Sequence, residues 1–456
     1  MNKKILLIFL FAFLIRLIAL SQSLWLDEAV TANVVKNFSF INIITKFSPT
    51  DFHPPLYYLF MKLWTNMFGY GEVSLRFPSI MFSLITGYFV FKIAKLLNGY
   101  IAGLLSAIFF LFNPLIVYYS QEARMYMMAT FFLTAGLYYF LKIQNTKVLD
   151  PRFHGDDKDK LFFGLSISLA FLTFYGSIFF IVSFLIYSLY KKNYKFFMLN
   201  TCYLILTTLL VSPLLYQQLI NSKIALRHVA NWSMILGKAN IKNLLLIPIK
   251  FSIGRISFLP KWLYWLIAGG WTTFIGSVLI RTDPTRRVLF LLIFPLILGF
   301  IVSFFIPMLQ YFRFIYLIPI ICILLGSGKL LSWSDRTKIV MNLILMFGFV
   351  IFSLTYLLFP QFYREDWKSL VKNLPKNKPI YMTGSSKDPI NYYSNNLIIK
   401  DLNSLQVESK EKEVVVIPYA SQIYGLDYKI TLGKVGYSLK KEYSFREVTY
   451  EQWVKN

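Results

Sequence analysis

The sequence predicts an α-helical polytopic membrane protein that ends in a small α/β domain. The 456 residues are 18% aromatic and have a mean hydropathy of +0.55, which is not typical of a soluble protein. Apolar runs of about 20 residues, long enough to cross a hydrocarbon core of roughly 30 Å, recur along most of the chain. From Pro360 onward the sequence becomes mixed and polar, with short apolar runs of the β type.

About eleven transmembrane helices follow from these apolar runs. Lys3 and Lys4 before the first run are also typical of a signal peptide, but Arg16 within the run and the many later spans favour an uncleaved helix. The stretch 161–190 is too long for one crossing and is divided at Tyr175-Gly176. The predicted spans are 5–23, 74–96, 100–118, 124–142, 161–175, 177–190, 196–217, 262–280, 287–306, 311–330 and 338–358.

The basic residues predict the orientation of the chain in the membrane and the partner of its positive charge. The net charge is +25, and most lysines and arginines fall in short loops between spans, among them 142–160, 281–287 and 329–338. The positive-inside rule then places the N-terminus in the cytoplasm, and the protein is predicted to cross the plasma membrane several times. Anionic membrane lipids explain this charge better than nucleic acid, which is not expected as a partner.

Two domains result from this arrangement. Residues 1–358 form the transmembrane domain with a first outer loop at 24–73, and residues 359–456 form a soluble extracytoplasmic α/β domain. Apolar runs at 379–383 and 414–417 predict strands, and the pattern at 366–374 predicts a helix. Two cysteines, Cys202 and Cys322, lie far apart in apolar runs, so neither a disulfide nor a metal–thiolate site is indicated.

One predicted outer loop, 218–261, departs from the positive-inside rule because it is basic and has no acid. Its basic residues are Lys223, Arg227, Lys238, Lys242, Lys250, Arg255 and Lys261. One explanation is an amphipathic helix at Ile241–Ile253 that lies on anionic headgroups. The other is a substrate lipid that carries a phosphate, and the sequence leaves both open.

Candidate functional residues gather in the first outer loop. Asp27 and Glu28 follow the first span, where they are either interfacial polar residues or part of a site. Asp51 and His53 precede two prolines, which stop an incoming helix and allow another to begin at Leu56. His53 is either structural or catalytic. Glu28, Asp51 and His53 leave room for a divalent metal, although their spacing is unlike that of a zinc site.

Further ionisable residues lie at the ends of the predicted spans. Glu72 and Arg76 are spaced i, i+4 and can pair with each other. Glu122 and Arg124 join two spans with almost no loop, so they lie near membrane depth, where charges are costly and functional by default. Arg313 begins the tenth predicted span.

Four motifs, in the order in which they follow one another along the chain, resemble those of the GT-C type integral-membrane glycosyltransferases. The similarity is greatest to the dolichyl-phosphate-mannose protein mannosyltransferase superfamily, which includes the aminoarabinose transferases. It covers about residues 5–140 well, the later spans by topology and Arg313, and the tail hardly at all. The motifs are Asp27-Glu28, Asp51-Phe52-His53-Pro54-Pro55-Leu56, Leu75-Arg76-Phe77-Pro78-Ser79, and Tyr118-Tyr119-Ser120-Gln121-Glu122-Ala123-Arg124-Met125-Tyr126.

The resemblance implies inverting transfer of a sugar from a polyprenyl-phosphate donor to an acceptor on the outer face. Asp27 would be the catalytic carboxylate, and Glu28 would help it by orienting acceptor or metal. An arginine suits the phosphate leaving group because it stays charged and offers a planar fork of donors. The candidate substrate-binding residues are His53, Arg76, Glu122, Arg124, Tyr126 and Arg313.

The acceptor stays open between a glycan, a lipid and a protein. Tyr58 stands where the protein O-mannosyltransferase pattern has a lysine, and the tail has no β-trefoil repeat, so a protein acceptor is in doubt. A transporter or flippase is the main alternative, although it would carry charges near the bilayer middle and repeated halves. A lipid-binding or assembly protein with the same fold is a third reading.

Overall fold

The computed structural model describes residues 3–149, 157–229, 231, 236–282, 286–327, 334–394, 396–406 and 411–456. Parts of the predicted loops 142–160, 218–261 and 329–338 lie outside these ranges, as do the side chain of Arg227 and the end of the predicted span 311–330. Most of the described chain is helical. The helices are α1 Lys3–Arg16, α2 Leu26–Asn37, α3 Leu56–Phe68, α4 Glu72–Asn98, α5 Tyr100–Leu111, α6 Pro114–Ser120, α7 Tyr126–Leu149, α8 Asp157–Thr173, α9 Ile178–Tyr190, α10 Tyr194–His228, α11 Ile241–Ile253, α12 Lys261–Arg281, α13 Arg286–Val302, α14 Ile318–Gly326, α15 Asp335–Leu358, α16 Trp367–Asn373, α17 Asp388–Tyr393 and α18 Tyr428–Lys434.

The helical membrane fold agrees with the sequence prediction, but the structure does not determine the number of membrane crossings. Within the described ranges, five helices are long and apolar enough to cross a membrane, or six if the bent pair α5 and α6 forms one span. Several shorter apolar helices coincide with the other predicted spans, and a break at Tyr175–Ser177 separates α8 from α9. The figure of eleven crossings therefore stays a prediction.

Two predicted spans differ in shape from the structure. The first was expected to run to residue 23, but α1 ends at Arg16, whose buried guanidinium donates to the carbonyls of Ala12 and Leu111 at 2.8 Å. The third was expected as one straight helix, but it bends by 60° between α5 and α6. The bend occurs because Pro114 lacks an N–H, while the Asn113 side chain caps the new helix start.

The segment before α4 carries the residues of interest. Helix α2 follows the end of α1, and α3 begins at Leu56 directly after Pro54 and Pro55, as the prolines predict. Between α2 and α3 lie short helical turns at Phe40–Asn42, Ile43–Phe47 and Ser48–Thr50. Helix α11 has the bounds predicted for the amphipathic helix, but its position relative to a membrane stays a prediction.

The C-terminal domain is a five-stranded sheet with helices on both faces, which agrees with the predicted α/β class. Its strands are β1 Ile380–Met382, β2 Ile399–Asp401, β3 Glu413–Ile417, β4 Tyr437–Phe445 and β5 Val448–Lys455, in the order β2-β1-β3-β5-β4. Strand β1 pairs in parallel with β2 and β3, and the β3–β5 and β4–β5 pairs are antiparallel. Alternate residues of β3 enter opposite cores, with Val415 packed near Trp367 and Val414 near Leu432.

This domain packs directly on the segment that carries α2. The Tyr393 hydroxyl accepts from the backbone N–H of Leu24 at 2.8 Å, and the backbone N–H of Lys368 donates to the Ser23 hydroxyl at 3.1 Å. Asn33 of α2 donates to the Asp388 side chain at 2.8 Å. The sheet domain therefore holds the segment directly before α2 and the second half of the helix at Asn33. The division of the chain at residue 358 stays a prediction.

Candidate active site

The first turn of α2 sends its two acids in different directions. Successive residues of an α-helix are rotated by about 100°, so neighbours cannot share one face. The Asp27 side chain retains 36% exposure, whereas Glu28 is fully buried. Both acids lie at the helix N-terminus, where the helix dipole favours a negative charge. The adjacent carboxylates thus have separate surroundings.

Asp27 and Arg124 lie beside each other in the wall of a cavity. The Asp27 carboxylate lies 3.4 Å from the Arg124 guanidinium, which also donates to the Asp27 carbonyl at 3.4 Å. Arg124 is 5% exposed, and its Nε is a buried donor that finds no hydrogen-bond partner among the described residues. Because buried donors are nearly always paired in folded proteins, this arginine has capacity for an additional anion.

The cavity has a volume of about 440 Å³, which is within the range of roughly 300–1,000 Å³ usual for small-molecule sites. One part of its wall is polar and ionisable, and contains Asp27, Asp51, His53, Arg124 and Arg313. Another part is apolar or aromatic, and contains Tyr58, Tyr126, Phe174, Ile306, Met308 and Phe312. We call this space the Asp27 cavity. It joins cationic groups to an apolar surface.

The loop before α3 presents Asp51 and His53 to this cavity. Their side chains lie 3.2 Å apart, and Gln218 of α10 donates to the carbonyls of Ser48 at 2.7 Å and His53 at 3.0 Å. Burial alone would raise the pKa of Asp51, but His53 and Arg124 outweigh it and hold that pKa below its ordinary value. Asp51 is therefore ionised at neutral pH.

Glu28 lies in a separate buried cluster. Its carboxylate accepts from Arg76 Nε at 2.8 Å, from Arg76 Nη2 at 2.5 Å and from the backbone N–H of Ala123 at 2.8 Å. Arg76 also donates to the carbonyls of Leu20, Gln22 and Ser23 at 2.7–3.0 Å. This Glu28 cluster ties the start of α2 to α4 and to the turn between α6 and α7.

A second link joins the C-terminal domain to the same turn. The Glu122 carboxylate lies 3.2 Å from the Arg364 guanidinium, which stacks on the ring of Trp25 at 3.7 Å. Burial raises the pKa of Glu122, and the nearby Arg364 opposes that rise. Trp25 directly precedes α2, so Arg364 links the start of α2 to the turn that carries Glu122.

The structure thus brings some of the predicted site residues together and separates others. Asp27, His53, Arg124, Tyr126 and Arg313 all line the Asp27 cavity. Glu28, Arg76 and Glu122 lie in the neighbouring buried contacts and do not line it. The pair that Glu72 and Arg76 could make does not form, because Arg76 binds Glu28 and Glu72 binds Lys368 at 2.9 Å.

The proposed metal ligands are not gathered at one point. No group of three or more His, Cys, Asp or Glu side chains that could hold a metal ion occurs within the ranges that the structure describes. Asp51 and His53 are close, but the Glu28 carboxylate is occupied by Arg76 and by the Ala123 N–H. A divalent metal held by Glu28, Asp51 and His53 does not fit this arrangement.

Several residues at the site were not predicted from the sequence. Gln218 lies in an apolar helix and holds the His53 loop, and a polar side chain in such a helix was the available signal. Arg364 lies in the tail, where nothing in the sequence pointed to Glu122. In the basic loop, Arg255 donates to the Tyr118 hydroxyl at 2.6 Å, and the role of this loop toward lipid or substrate stays open.

The chain is similar to known proteins in part of its sequence and in its whole fold. The model of the dolichyl-phosphate-mannose-protein mannosyltransferase family matches residues 52–217. No curated protein matches the sequence.

ArnT from Cupriavidus metallidurans is a similar solved structure. It is 12% identical, and the match covers 98% of this chain and 97% of ArnT, with a TM-score of 0.58 in the apo state and 0.60 bound to undecaprenyl phosphate. The oligosaccharyltransferase AglB from Archaeoglobus fulgidus, in complex with an inhibitory peptide and a dolichol-phosphate, is 10% identical. That match covers 98% of this chain and 74% of AglB, with a TM-score of 0.57.

These matches confirm the resemblance that the four sequence motifs indicated. The chain has the fold of the GT-C glycosyltransferases and, over residues 52–217, the sequence pattern of the dolichyl-phosphate-mannose-protein mannosyltransferase family within the superfamily that includes the aminoarabinose transferases.

Proposed function

We propose that this protein transfers a sugar, with inversion, from a polyprenyl-phosphate donor to an acceptor hydroxyl on the outer face of the plasma membrane. The observation that carries the proposal is the position of Asp27, 3.4 Å from Arg124 at the wall of a cavity that combines cationic and apolar surface. The family match of the chain and the solved structures with a similar fold support the same chemistry. ArnT was solved with undecaprenyl phosphate, and AglB with a dolichol-phosphate.

The Asp27 cavity suits the donor. Arg124 and Arg313 offer guanidinium groups to a phosphate, and charge-assisted hydrogen bonds of this kind are stronger than neutral ones. The Arg124 Nε that lacks a partner among the described residues is one available donor. The apolar wall at Phe174, Met308 and Phe312 suits the first isoprene units of the lipid.

Asp27 is the general base in this proposal. Its carboxylate takes the proton of the acceptor hydroxyl while the hydroxyl oxygen forms a bond to C1 of the sugar. The bond from C1 to the phosphate oxygen breaks on the opposite face, and its electron pair stays on the phosphate. Arg124 and Arg313 stabilise the additional negative charge that develops there.

Glu28 has a positioning role in this proposal. Because its carboxylate is buried and binds Arg76 and Ala123, it orients the first turn of α2 rather than meeting a substrate. Arg76 serves the same purpose and is not a phosphate ligand. Glu122 fixes the turn that carries Arg124, through its contact with Arg364.

The test is donor consumption by purified protein in lipid nanodiscs. The donors are undecaprenyl-phosphate sugars that carry mannose, glucose, aminoarabinose or a uronic acid, with membrane extract of the source cells as acceptor. Released undecaprenyl phosphate is measured by chromatography. We expect Asp27→Asn to lower the rate by about 10²–10⁴-fold, as the loss of a general base does, while donor binding persists.

The matched control is Asp335→Asn, which removes the same charge from an exposed position at the start of α15. This variant is expected to keep the wild-type rate. Full turnover by Asp27→Asn would refute the role of general base. In sealed proteoliposomes, movement of intact donor between leaflets without release of undecaprenyl phosphate would show a transporter instead.

A further inference from the structure

A second cavity lies beside the Asp27 cavity, between α2 and α17 of the C-terminal domain. Its volume is also about 440 Å³, and we call it the α2–α17 cavity. The polar residues in its wall are Asn33, Lys36, Asn37, Asp388, Asn391 and Ser394. None of them belongs to the donor site described above.

One face of helix α2 lines both cavities. Val30 lines both of them, while Asp27 lines only the first and Val34 only the second. These three residues are spaced i, i+3 and i+7, so they share one helix face. Val30 is one helical turn from Asp27, about 4.5 Å along the axis at 1.5 Å per residue. A ligand in the α2–α17 cavity can therefore extend to the Asp27 carboxylate over a single turn.

The two walls differ in chemistry. Among the described residues, the wall of the α2–α17 cavity contains one lysine and one aspartate, whose charges balance, and no arginine or histidine. Carboxamide and hydroxyl groups both donate and accept hydrogen bonds, as sugar hydroxyls do, so Asn37, Asn391 and Ser394 match a polyhydroxylated ligand. Phe38 and Phe47 add apolar surface against which a sugar ring can pack. A lipid phosphate finds better partners in the Asp27 cavity.

Contacts within the wall fix its shape. The Asn33 amide donates to the Asp388 carbonyl at 3.0 Å and to its side chain at 2.8 Å, which holds α17 against α2. Lys36, Asn37 and Asn391 are exposed, so their side chains can meet a ligand. The cavity is thus built from both domains, with a fixed floor and an accessible polar rim.

We infer that the α2–α17 cavity binds the acceptor, and that the bound part of the acceptor is a carbohydrate without net charge. This inference rests on the proposed function, since Asp27 is the base that receives the acceptor proton. Donor and acceptor then reach the reaction from neighbouring positions along one face of α2, with Val30 between them. The acceptor hydroxyl passes Val30 to meet Asp27.

Filling the cavity tests this assignment in the transfer reaction. Asn391→Trp places an indole in the rim, and Asn373→Trp makes the same change at an exposed residue at the end of α16 that does not line the cavity. We expect Asn391→Trp to raise the acceptor KM about tenfold or more, equivalent to a loss of about 1.4 kcal/mol. Its Kd for undecaprenyl-phosphate sugar and its kcat at saturating acceptor are expected to stay at the wild-type values. Asn373→Trp is expected to change none of them.

A labelling experiment tests the ligand class without any turnover. In a Cys202→Ser background, Asn37→Cys is treated with a maleimide in the presence and absence of methyl mannoside or methyl glucoside. At a sugar concentration equal to Kd the labelling rate is expected to fall about twofold, while the rate for Asn373→Cys stays constant. An unchanged acceptor KM in Asn391→Trp, or equal labelling rates with and without sugar, would overturn the assignment. Lack of donor consumption by the wild-type protein, with sugar protection still present, would refute the proposed function and the acceptor role, and would leave the α2–α17 cavity as a carbohydrate-binding site.

Discussion

The Glu28 cluster and the Asp27 cavity begin at neighbouring residues of one helix turn, yet they differ in every property that decides function. Glu28 is fully buried, and its carboxylate is held by the Arg76 guanidinium and the Ala123 N–H. Asp27 is 36% exposed and meets one arginine at 3.4 Å. The hydrogen bonds of the Glu28 carboxylate are satisfied by the protein, whereas the Asp27 carboxylate retains capacity for a substrate.

The difference shows that an ion pair can serve two purposes in one site. A buried pair with additional hydrogen bonds fixes geometry, and removal of one partner leaves an uncompensated charge. A looser pair at a cavity wall can exchange its partner for a ligand. The Glu28 cluster thus supports α2 while Asp27 stays accessible, an arrangement in which supporting groups hold a reactive one.

The largest expected effect is on stability, in the Glu28 cluster. Arg76→Ala leaves the buried Glu28 carboxylate without its positively charged partner and three backbone carbonyls without the Arg76 donor, so we expect a loss of about 3–5 kcal/mol in the free energy of unfolding. Thermal unfolding of the purified protein, followed by intrinsic fluorescence, measures it. Lys368→Ala is the control, because its exposed pair with Glu72 is worth about 1 kcal/mol or less.

A double variant sharpens this prediction. Glu28→Gln with Arg76→Gln removes both charges, so no unpaired charge stays buried, and part of the lost stability should return relative to Arg76→Ala. If Arg76→Ala unfolds at the wild-type temperature, the distinction between a structural and an accessible acid fails.

The next effect is on donor binding, in the Asp27 cavity. Arg124→Ala and Arg313→Ala each remove a guanidinium from the proposed phosphate site, and we expect each to cost about 1.5–3 kcal/mol, or roughly 10–150-fold in Kd. Binding of undecaprenyl phosphate in nanodiscs gives the Kd. Arg336→Ala, at an exposed position in α15, serves as the arginine control. Wild-type affinity in both cavity variants would exclude these two arginines from phosphate binding.

The smallest effect concerns Asp51 and pH. Its folded-state pKa is held below the ordinary value, so its contribution to stability is complete above the unfolded pKa of about 3.9 and is lost as pH falls through the lower folded value. We expect wild type and Asp51→Asn to differ in stability by about 1 kcal/mol between pH 7 and pH 5. The difference should shrink only below about pH 4. Unfolding temperatures across this range test it, and a difference that vanishes already at pH 5 would contradict the lowered pKa.

Predictions from the sequence succeeded where a local pattern had one physical solution. Pro54 and Pro55 permitted α3 to begin at Leu56, and it does. The apolar run at 414–417 formed β3, with its side chains alternating between two cores. The i, i+4 spacing of Glu72 and Arg76 was misleading, because Glu28 offers Arg76 a fully buried partner with two oxygens.

By itself, the sequence determined the class of the protein: apolar runs require helices in a membrane, and the change of pattern after Pro360 requires a separate α/β domain. It also singled out Asp27, Arg124 and Arg313. The tertiary structure alone decided which acid stays accessible. Asp27 and Glu28 differ in direction by about 100° around α2, but only the packing of Arg76 against one side of the helix determines that Glu28 is the acid that becomes buried. The link from Arg364 to Glu122 likewise joins residues 242 positions apart, and such contacts depend on packing rather than on any local pattern.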